Sequence, residues 1–445
     1  MKKFLCIAFC LMAAAAFSAE LYVSQSTGKK KGPGTKEAPF KAILDAMKNA
    51  QPGDTIYMAE GTYTGAMGAS EIIIDKPVTI IGGYAADFSS RDVVAHPTLI
   101  QPKNEKNDTK GLSVVTLKMP AGAGPAMVID GIVIDQGFMN SYHDVKGKPE
   151  GVETGMWLEP PAKGSKDAFA SAKSYSIYME TQNRFEGDVV IKNCIFANGG
   201  NYAVNISKYC GSVKILNNIF VANRMESCEV SCSANAQNKS NELLDVEFAY
   251  NTVLYTWSRT SEMTDMGYGF RCMTMVKSNI HHNIFGLNVM AGIGNDKGDA
   301  KQPGLDRLVK NITINNNLFF LNKNADVTVT KSPSILKLMV DSDEFEDMCD
   351  YPGIEDVDGN VSLEDPAVFK GRLNTAYLTA FLNATYSEKT DYDENSPANL
   401  FREAMGMNKV GTIETKVSMY GNRYPLADCY TLFGACDGYG AQLVK

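Results

Sequence analysis

The chain has 445 residues, of which 44% are hydrophobic, and its 51 acidic residues outnumber 43 basic ones to give a net charge of −8. An acidic chain argues against nucleic acid as a partner, because polyanions bind to basic surfaces. The chain is longer than a single compact hydrophobic core usually supports. A repeat architecture is not subject to that size limit, because each unit packs only on its neighbours.

The first 19 residues have the features of a bacterial secretory signal. Lys2 and Lys3 precede an apolar run over residues 4–17, and Ser18 and Ala19 supply the small residues of a cleavage site. This run is too short to span a bilayer, and no other segment qualifies, so we expect no membrane insertion. The sequence therefore predicts a protein that is secreted, periplasmic or held at the cell surface once residues 1–19 are removed.

The middle of the chain repeats a six-residue pattern that reads apolar, any residue, Asn, Asn, apolar, aromatic. Successive fourth positions are 24, 33, 32 and 34 residues apart, at Cys194, Asn218, Asn251, Asn283 and Asn317. A period of this size with strand chemistry predicts a stacked solenoid. The repeated Asn predicts a ladder of amide hydrogen bonds inside the turns of successive coils.

One coil can be followed through residues 201–223. Strands are predicted at 202–207, 212–216 and 219–222, with turns at 208–211 and 217–218 between them. Three short strands per coil predict a parallel β-helix built from three sheets.

This layout, together with residues 21–24, a short amphipathic helix after Phe40, and residues 51–63, resembles the right-handed parallel β-helix of the pectin-lyase-like superfamily. The resemblance implies an all-β, three-sheet solenoid over residues 20–330, whose N-terminal helix closes an end that would otherwise expose strand edges and core. Residues 331–445 are predicted to form an acidic C-terminal cap packed on the helix end, and we expect a monomer. Because the superfamily includes lyases, hydrolases and proteins without activity, the fold leaves the chemistry open.

In enzymes of this superfamily, the substrate lies along the outward face of the strand that precedes the first turn of each coil. Alternation along these strands places Tyr178, Glu180, Asn205, Glu229 and Arg271 outward, and it also places Asn288 outward on the last of them. The expected partner is therefore a polysaccharide.

Three interpretations of this row are open. A lyase acting on a uronate polymer of the pectate or alginate type would hold Ca²⁺ with Glu180 and Glu229 and use Arg271 as its base. A glycoside hydrolase would use Glu180 and Glu229 as paired carboxylates. In the third interpretation, Glu229 and Arg271 form only a cross-strand ion pair, and the protein is a non-catalytic carbohydrate-binding, adhesion or structural protein.

The two tryptophans, Trp157 and Trp257, lie in long connections that precede strands of this face. Together with Tyr178 and Asn205 they are predicted to bind substrate, because aromatic rings stack on sugars and loops on a rigid scaffold often carry binding residues. The alternative is that each Trp only pins its loop to the coil. No cysteine spacing matches a zinc signature.

Overall fold

The fold is described from a computed structural model. It describes residues 18–65, 71–102, 113–137, 142–143, 169–170, 175–179, 184–232, 243–257, 266–272, 276–295, 311–332, 335–339, 353–363, 365–413, 419 and 422–444. Residues 1–17 of the predicted secretory signal lie outside this set. Within the described residues, no helix is long and apolar enough to cross a bilayer.

Three sheets of almost entirely parallel strands wind into a right-handed β-helix, as the sequence predicts. Sheet A contains β1 (Glu20–Val23), β2 (Thr55–Ala59), β5 (Thr79–Tyr84), β8 (Met127–Asp130), β13 (Val189–Lys192), β16 (Ser212–Leu216), β19 (Leu244–Ala249), β22 (Val276–His281), β25 (Ile312–Asn315) and β29 (Ile354–Asp358). Sheet B contains β3 (Gly61–Tyr63), β6 (Thr98–Ile100), β9 (Ile132–Asp135), β14 (Ile195–Ala197), β17 (Ile219–Val221), β20 (Thr252–Leu254), β23 (Ile284–Gly286), β26 (Leu318–Phe320) and β30 (Val361–Ser362).

Sheet C forms the third side and carries the face predicted to bind substrate. It contains β4 (Ile72–Ile74), β7 (Ser113–Leu117), β12 (Tyr175–Met179), β15 (Tyr202–Lys208), β18 (Glu226–Cys232), β21 (Tyr268–Cys272), β24 (Ala291–Asn295), β27 (Ala325–Ser332) and β28 (Ile335–Met339). β28 pairs with β27 in the antiparallel sense, and a separate antiparallel pair joins β10 (Tyr142–His143) to β11 (Phe169–Ala170).

Stacked side chains fill the inside of the coil. Aromatic rings form a continuous column through Phe196, Phe220, Phe248, Phe285 and Phe319, whose neighbouring ring centroids lie 5.0, 6.2, 6.0 and 5.5 Å apart. All five rings are fully buried. Four of these rings occupy the aromatic position of the repeat, where equivalent residues of successive coils pair across sheet B. Phe248, from the first position of its copy on sheet A, continues the column in the coil where Val253 takes the aromatic position.

The two Asn positions of the repeat have different functions. At the second of them, the backbone N–H of Asn218 donates to Oδ1 of Asn251 (3.0 Å), and that of Asn251 donates to Oδ1 of Asn283 (2.8 Å). The predicted ladder is therefore present. Cys194 joins it through its backbone N–H, which donates to Oδ1 of Asn218 (2.9 Å), and its Sγ donates to the carbonyl of Ile129 (3.9 Å).

The first Asn position bends the chain. Asn193, Asn217 and Asn316 have φ values of 56°, 58° and 53°. Asn tolerates this left-handed conformation better than most residues, since its short polar side chain bonds locally. The Asn pair of the repeat thus combines a backbone turn with an amide ladder.

A second ladder, not predicted from the repeat, runs along the corner between sheets B and C. The backbone N–H of Thr256 donates to Oδ1 of Asn288 (3.1 Å), and that of Asn288 donates to Oδ1 of Asn322 (3.1 Å). Asn288 is fully buried. Alternation alone places this residue on the outward face of sheet C, which is wrong because β24 begins only at Ala291.

The N-terminal helix α1 (Ile43–Asn49) closes one end of the solenoid. It buries Ile43, Ala46 and Met47 against the first coils. Nζ of Lys76 donates to the carbonyls of Met47 and Ala50, both at 2.9 Å, which satisfies backbone oxygens at the end of the helix.

The C-terminal region differs from the predicted cap in two respects. The solenoid continues beyond residue 330, because β29 pairs with β25 and β30 pairs with β26. The rest includes α2 (Thr375–Thr385), α3 (Pro397–Ala404), α4 (Leu426–Cys429) and 3-10 turns at Pro366–Phe369, Lys389–Tyr392 and Tyr430–Leu432.

This region packs along the outer face of sheet B rather than only on the end of the helix. That face is apolar and lies in one buried cluster with the C-terminal helices. The ring of Tyr255 contacts those of Tyr377 and Phe381 at 5.2 and 5.1 Å, and the N–H of Ala441 donates to Oγ1 of Thr252 (2.9 Å). Covering the face removes an apolar surface that would otherwise promote association.

Candidate functional site

Four of the predicted side chains form one row across sheet C. Tyr178 pairs with Asn205, Asn205 with Glu229, and Glu229 with Arg271, so each stands on the next coil. Neighbouring parallel strands are about 4.8 Å apart, which places these side chains within contact distance of one another. The register predicted from alternation is therefore present in the described residues.

A second row, three residues earlier on the same strands, adjoins the first. It consists of Tyr175, Tyr202, Glu226 and Tyr268, which pair directly with one another. In a regular strand, residues three apart point to opposite faces. Here the earlier residue lies where the strand leaves the corner, and its side chain meets that of the later residue, as the 4.8 Å between the ring centroids of Tyr175 and Tyr178 shows.

Charged groups from the two rows meet around Arg271. Its Nη1 lies 2.6 Å from Oε1 of Glu226 and 3.9 Å from Oε2 of Glu229. Oε1 of Glu226 and Oε2 of Glu229 are therefore at most about 6.5 Å apart. Nδ2 of Asn205 donates to the other oxygen of Glu229 at 3.0 Å. One guanidinium thus links two carboxylates, and an amide fixes the outer one.

Exposure divides these groups into a buried and an accessible layer. The side chain of Glu226 has 0% of its surface exposed, whereas those of Glu229 and Arg271 retain 15% and 17%. A ligand on this face can therefore touch Glu229 and Arg271, while Glu226 acts on it only through them.

The environment of Glu226 favours its protonated form. Burial raises the pKa of this carboxyl well above its usual value, and repulsion by Glu229 adds to the shift, while Arg271 opposes it. Glu226 thus keeps its proton to a higher pH than an isolated glutamate, next to an accessible carboxyl.

Tyrosines form the wall on one side of these charges. The ring of Tyr175 stacks on those of Tyr178 and Tyr202, at 4.8 and 5.2 Å between centroids, and the guanidinium of Arg271 lies 5.3 Å from the ring centroid of Tyr268. Burial raises the pKa of Tyr175 and of Tyr202. These two phenols are therefore hydrogen-bond donors at neutral pH and poor bases.

Two predicted residues, Glu180 and Trp157, lie outside the described residues. Trp257 is described, and the structure contradicts its predicted contact with substrate. Only 1% of its surface is exposed, and its Nε1 donates to the carbonyl of Ala222 at 3.4 Å. Trp257 belongs to the buried cluster that the C-terminal region covers, so its ring cannot stack on a ligand.

Two predicted functions of this row do not fit the described geometry. Arg271 is held in an ion pair with Glu229 and bonds to the buried carboxyl of Glu226, which opposes the predicted function as a base. Glu229 is engaged by Arg271 and by the amide nitrogen of Asn205, which leaves it poorly arranged to bind Ca²⁺. The Ca²⁺ prediction for Glu180 stays a prediction.

Comparisons with known proteins add little beyond the fold. A family model described as "Protein of unknown function (DUF1565)" matches residues 26–121, and no curated protein matches the sequence. The pectate lyase Pel9A is similar in structure, with 12% identity, 90% of this chain and 88% of that chain covered, and a TM-score of 0.37.

Two further solved structures are similar at the same level. The GH136 lacto-N-biosidase from Eubacterium ramulus is 12% identical. Its alignment covers 77% of this chain and 55% of that chain, with a TM-score of 0.33. A rhamnogalacturonan lyase is 11% identical. Its alignment covers 95% of this chain and 100% of that chain, with a TM-score of 0.29. At these identities and scores, the similarity does not bear on the activity of this chain.

Proposed function

We propose that the chain binds a polysaccharide along the outer face of sheet C and hydrolyses a glycosidic bond there, with Glu229 as the group that exchanges a proton with the substrate. The observation that carries this proposal is the arrangement of Asn205, Glu229 and Arg271 on successive coils above the buried carboxyl of Glu226. Two carboxyls whose surroundings differ in this way are typical of acid–base catalysis.

The chemistry needs one proton on the carboxyl pair. Hydrolysis transfers a proton to the leaving glycosidic oxygen, while water adds to the anomeric carbon and gives up a proton that restores the acid. A protonated Glu226 beside Glu229 keeps that proton within the pair, and Arg271 balances the charge of the remaining carboxylate. Glu229 is the catalytic residue in this scheme, and the inaccessible Glu226 is a positioning residue.

The surrounding groups suit a carbohydrate. Phenols that stay protonated, an amide and a guanidinium offer donors to sugar hydroxyls, and tyrosine rings add apolar surface. The stacked tyrosines also hold the wall in place, which lowers the entropic cost of binding.

A uronate-polymer lyase is the second candidate, favoured by one observation. Asn205 and Arg271 lie on either side of Glu229, so the guanidinium could neutralise a uronate carboxylate next to the proton that is abstracted, and the amide could donate a hydrogen bond to it. In that reaction Glu229 would be the base. With Glu226 protonated, the carboxylate of Glu229 balances the guanidinium of Arg271, so the site has no net positive charge to attract an anionic polymer. Hydrolysis of a less charged polymer is therefore the first choice.

Export of the chain, predicted from residues 1–19, fits a polysaccharide substrate and is part of the proposal.

The test uses the protein without its first 19 residues and a panel of neutral polysaccharides and uronate polymers. New reducing ends without ultraviolet absorbance of an unsaturated uronate are expected from hydrolysis. Reducing ends together with that absorbance would establish the lyase instead. Retention of a polymer without any cleavage would contradict both enzymatic proposals and leave a non-catalytic binding protein.

A further inference from the structure

A groove of about 640 Å³ lies on the outer face of sheet A, on a different side of the solenoid from Glu229. Strands β16, β19, β22 and β25 form its floor, with Glu355 of β29 at one end.

One row of polar side chains runs across this floor. Lys214 pairs with Glu247, Glu247 with Asn279, and Asn279 with Thr313, so each coil contributes one outward side chain. The row repeats at about 4.8 Å, the spacing of parallel strands. The groove therefore offers hydrogen-bonding groups at regular intervals to an extended ligand.

The charges of the groove largely cancel. Two basic residues, Lys214 and Lys277, face three acidic ones, Asp245, Glu247 and Glu355. Nζ of Lys214 lies 4.0 Å from Oε2 of Glu247, and Oγ1 of Thr313 donates to Oδ1 of Asn279 at 2.8 Å. Such a mixture of donors and acceptors suits a neutral, hydroxyl-rich ligand better than a polyanion or a basic peptide.

Two lining residues also carry buried oxygens that are not satisfied. Oγ of Ser212 and Oδ1 of Asn311 have no hydrogen-bond partner within the described part of the chain, and Asn311 is only 8% exposed. Buried polar atoms in proteins are nearly always paired, with protein, water or ligand. Both oxygens are inaccessible, so a ligand on the groove floor bonds instead to the outward row of Lys214, Glu247, Asn279 and Thr313.

From these observations we infer that the groove on sheet A is a second saccharide-binding site, for a neutral polysaccharide, separate from the proposed hydrolytic site on sheet C. Its strands belong to sheet A, whereas Glu229 and Arg271 lie on sheet C. The inference does not depend on hydrolysis, because binding at sheet A would anchor the polymer whether or not sheet C cleaves it.

The test is affinity electrophoresis through gels that contain a neutral polysaccharide: mixed-linkage glucan, xylan or galactomannan. The double variant Asn279→Ala/Thr313→Val removes two exposed or half-buried groups of the row, and Asn49→Ala on α1 is the matched control. At least one polymer is expected to retard the parent and the control, with affinity for the double variant reduced tenfold or more. Retardation should persist at high salt, since the ligand is neutral.

Three results would overturn the inference: equal retardation of the double variant and the parent, loss of retardation in high salt, or no retardation of the parent by any polymer. Hydrolysis is scored separately as reducing ends released from a short oligosaccharide. The double variant is expected to match the parent in that assay. A failure of the sheet A site is therefore distinguishable from a failure of the proposed hydrolysis.

Discussion

Nη1 of Arg271 lies 2.6 Å from Oε1 of Glu226, a carboxyl whose side chain has no exposed surface. The buried acid fixes the guanidinium from below, so the cation stands beside Glu229 in one orientation. An exposed cross-strand pair contributes a few tenths of a kcal/mol. A guanidinium bonded to a buried carboxyl costs desolvation energy instead, and such arrangements are common where a site must be held rigidly.

We expect Glu226→Gln to lower cleavage by about tenfold to a hundredfold with little change in polymer retention, because the variant loses the buried proton and the fixed partner of Arg271. The pH profile should change as well. A raised pKa keeps Glu226 protonated as pH increases, so in Glu226→Gln the alkaline limb that this group sets should shift or vanish.

The matched control for that experiment is Glu186→Gln, which removes an exposed ion pair with Arg184. It should leave both rate and pH profile unchanged. An unaltered pH profile in Glu226→Gln would show that the buried acid only supports the structure.

Lys208 provides a second pH test, because burial lowers its pKa from 10.5 to about 8. Its Nζ donates to the carbonyl of Gly187 and lies 4.6 Å from the ring centroid of Phe185. Between these two pKa values the unfolded state binds the proton and the folded state does not, so stability rises with pH there.

The unfolding free energy of the parent, relative to Lys208→Met, should therefore increase by about 1–3 kcal/mol between about pH 7 and about pH 10. Urea unfolding at both pH values measures it, and the exposed Lys36→Met is the control. A parent-minus-variant difference that is constant over this range would rule out the lowered pKa.

Substitution of Asn251 tests the Asn ladder at the second Asn position of the repeat. Its Oδ1 accepts from the N–H and the Nδ2 of Asn218, and its own Nδ2 donates to the carbonyl of Ile215. Asn251→Ala leaves several buried groups unpaired, so we expect a loss of about 2–5 kcal/mol in unfolding free energy. Thermal unfolding measures this against Asn49→Ala, and equal midpoints for the two variants would contradict a structural ladder.

Trp257→Ala should destabilise the protein by about 3–5 kcal/mol, because it removes a buried ring from the cluster under the C-terminal region. Thermal unfolding and polysaccharide retention should be measured on the same preparation. Weaker retention without a lower unfolding midpoint would restore the predicted contact between Trp257 and substrate.

Regular features of the fold could be predicted because they repeat. The Asn pair recurs in each coil, and alternation correctly placed Tyr178, Asn205, Glu229 and Arg271 in one row. The residues that the prediction missed lie at corners of the coil, where side chains no longer alternate between the two faces of a strand. Glu226 is three residues before Glu229 and would face inward in a straight strand, although the recurrence of Tyr, Tyr, Glu and Tyr three positions before the row was a readable signal.

Long-range packing explains the other failure. Trp257 was predicted to be exposed because its connection is long, yet the C-terminal region buries its cluster through residues such as Tyr377 and Tyr424, more than a hundred positions away in the chain. No local sequence pattern predicts such a contact. The identity of the bound polymer likewise depends on surfaces that form only when the chain folds, so no local sequence pattern predicts it.

The most direct test of the central claim is the release of reducing ends by Glu229→Gln, measured on a polysaccharide that the parent cleaves. The substitution keeps the size of the side chain and its contact with Asn205 but removes the carboxyl that exchanges the proton. We expect a rate at least a hundredfold lower while the gel retention of the polymer stays at the parental level. Parental cleavage by Glu229→Gln would contradict the assignment of this site.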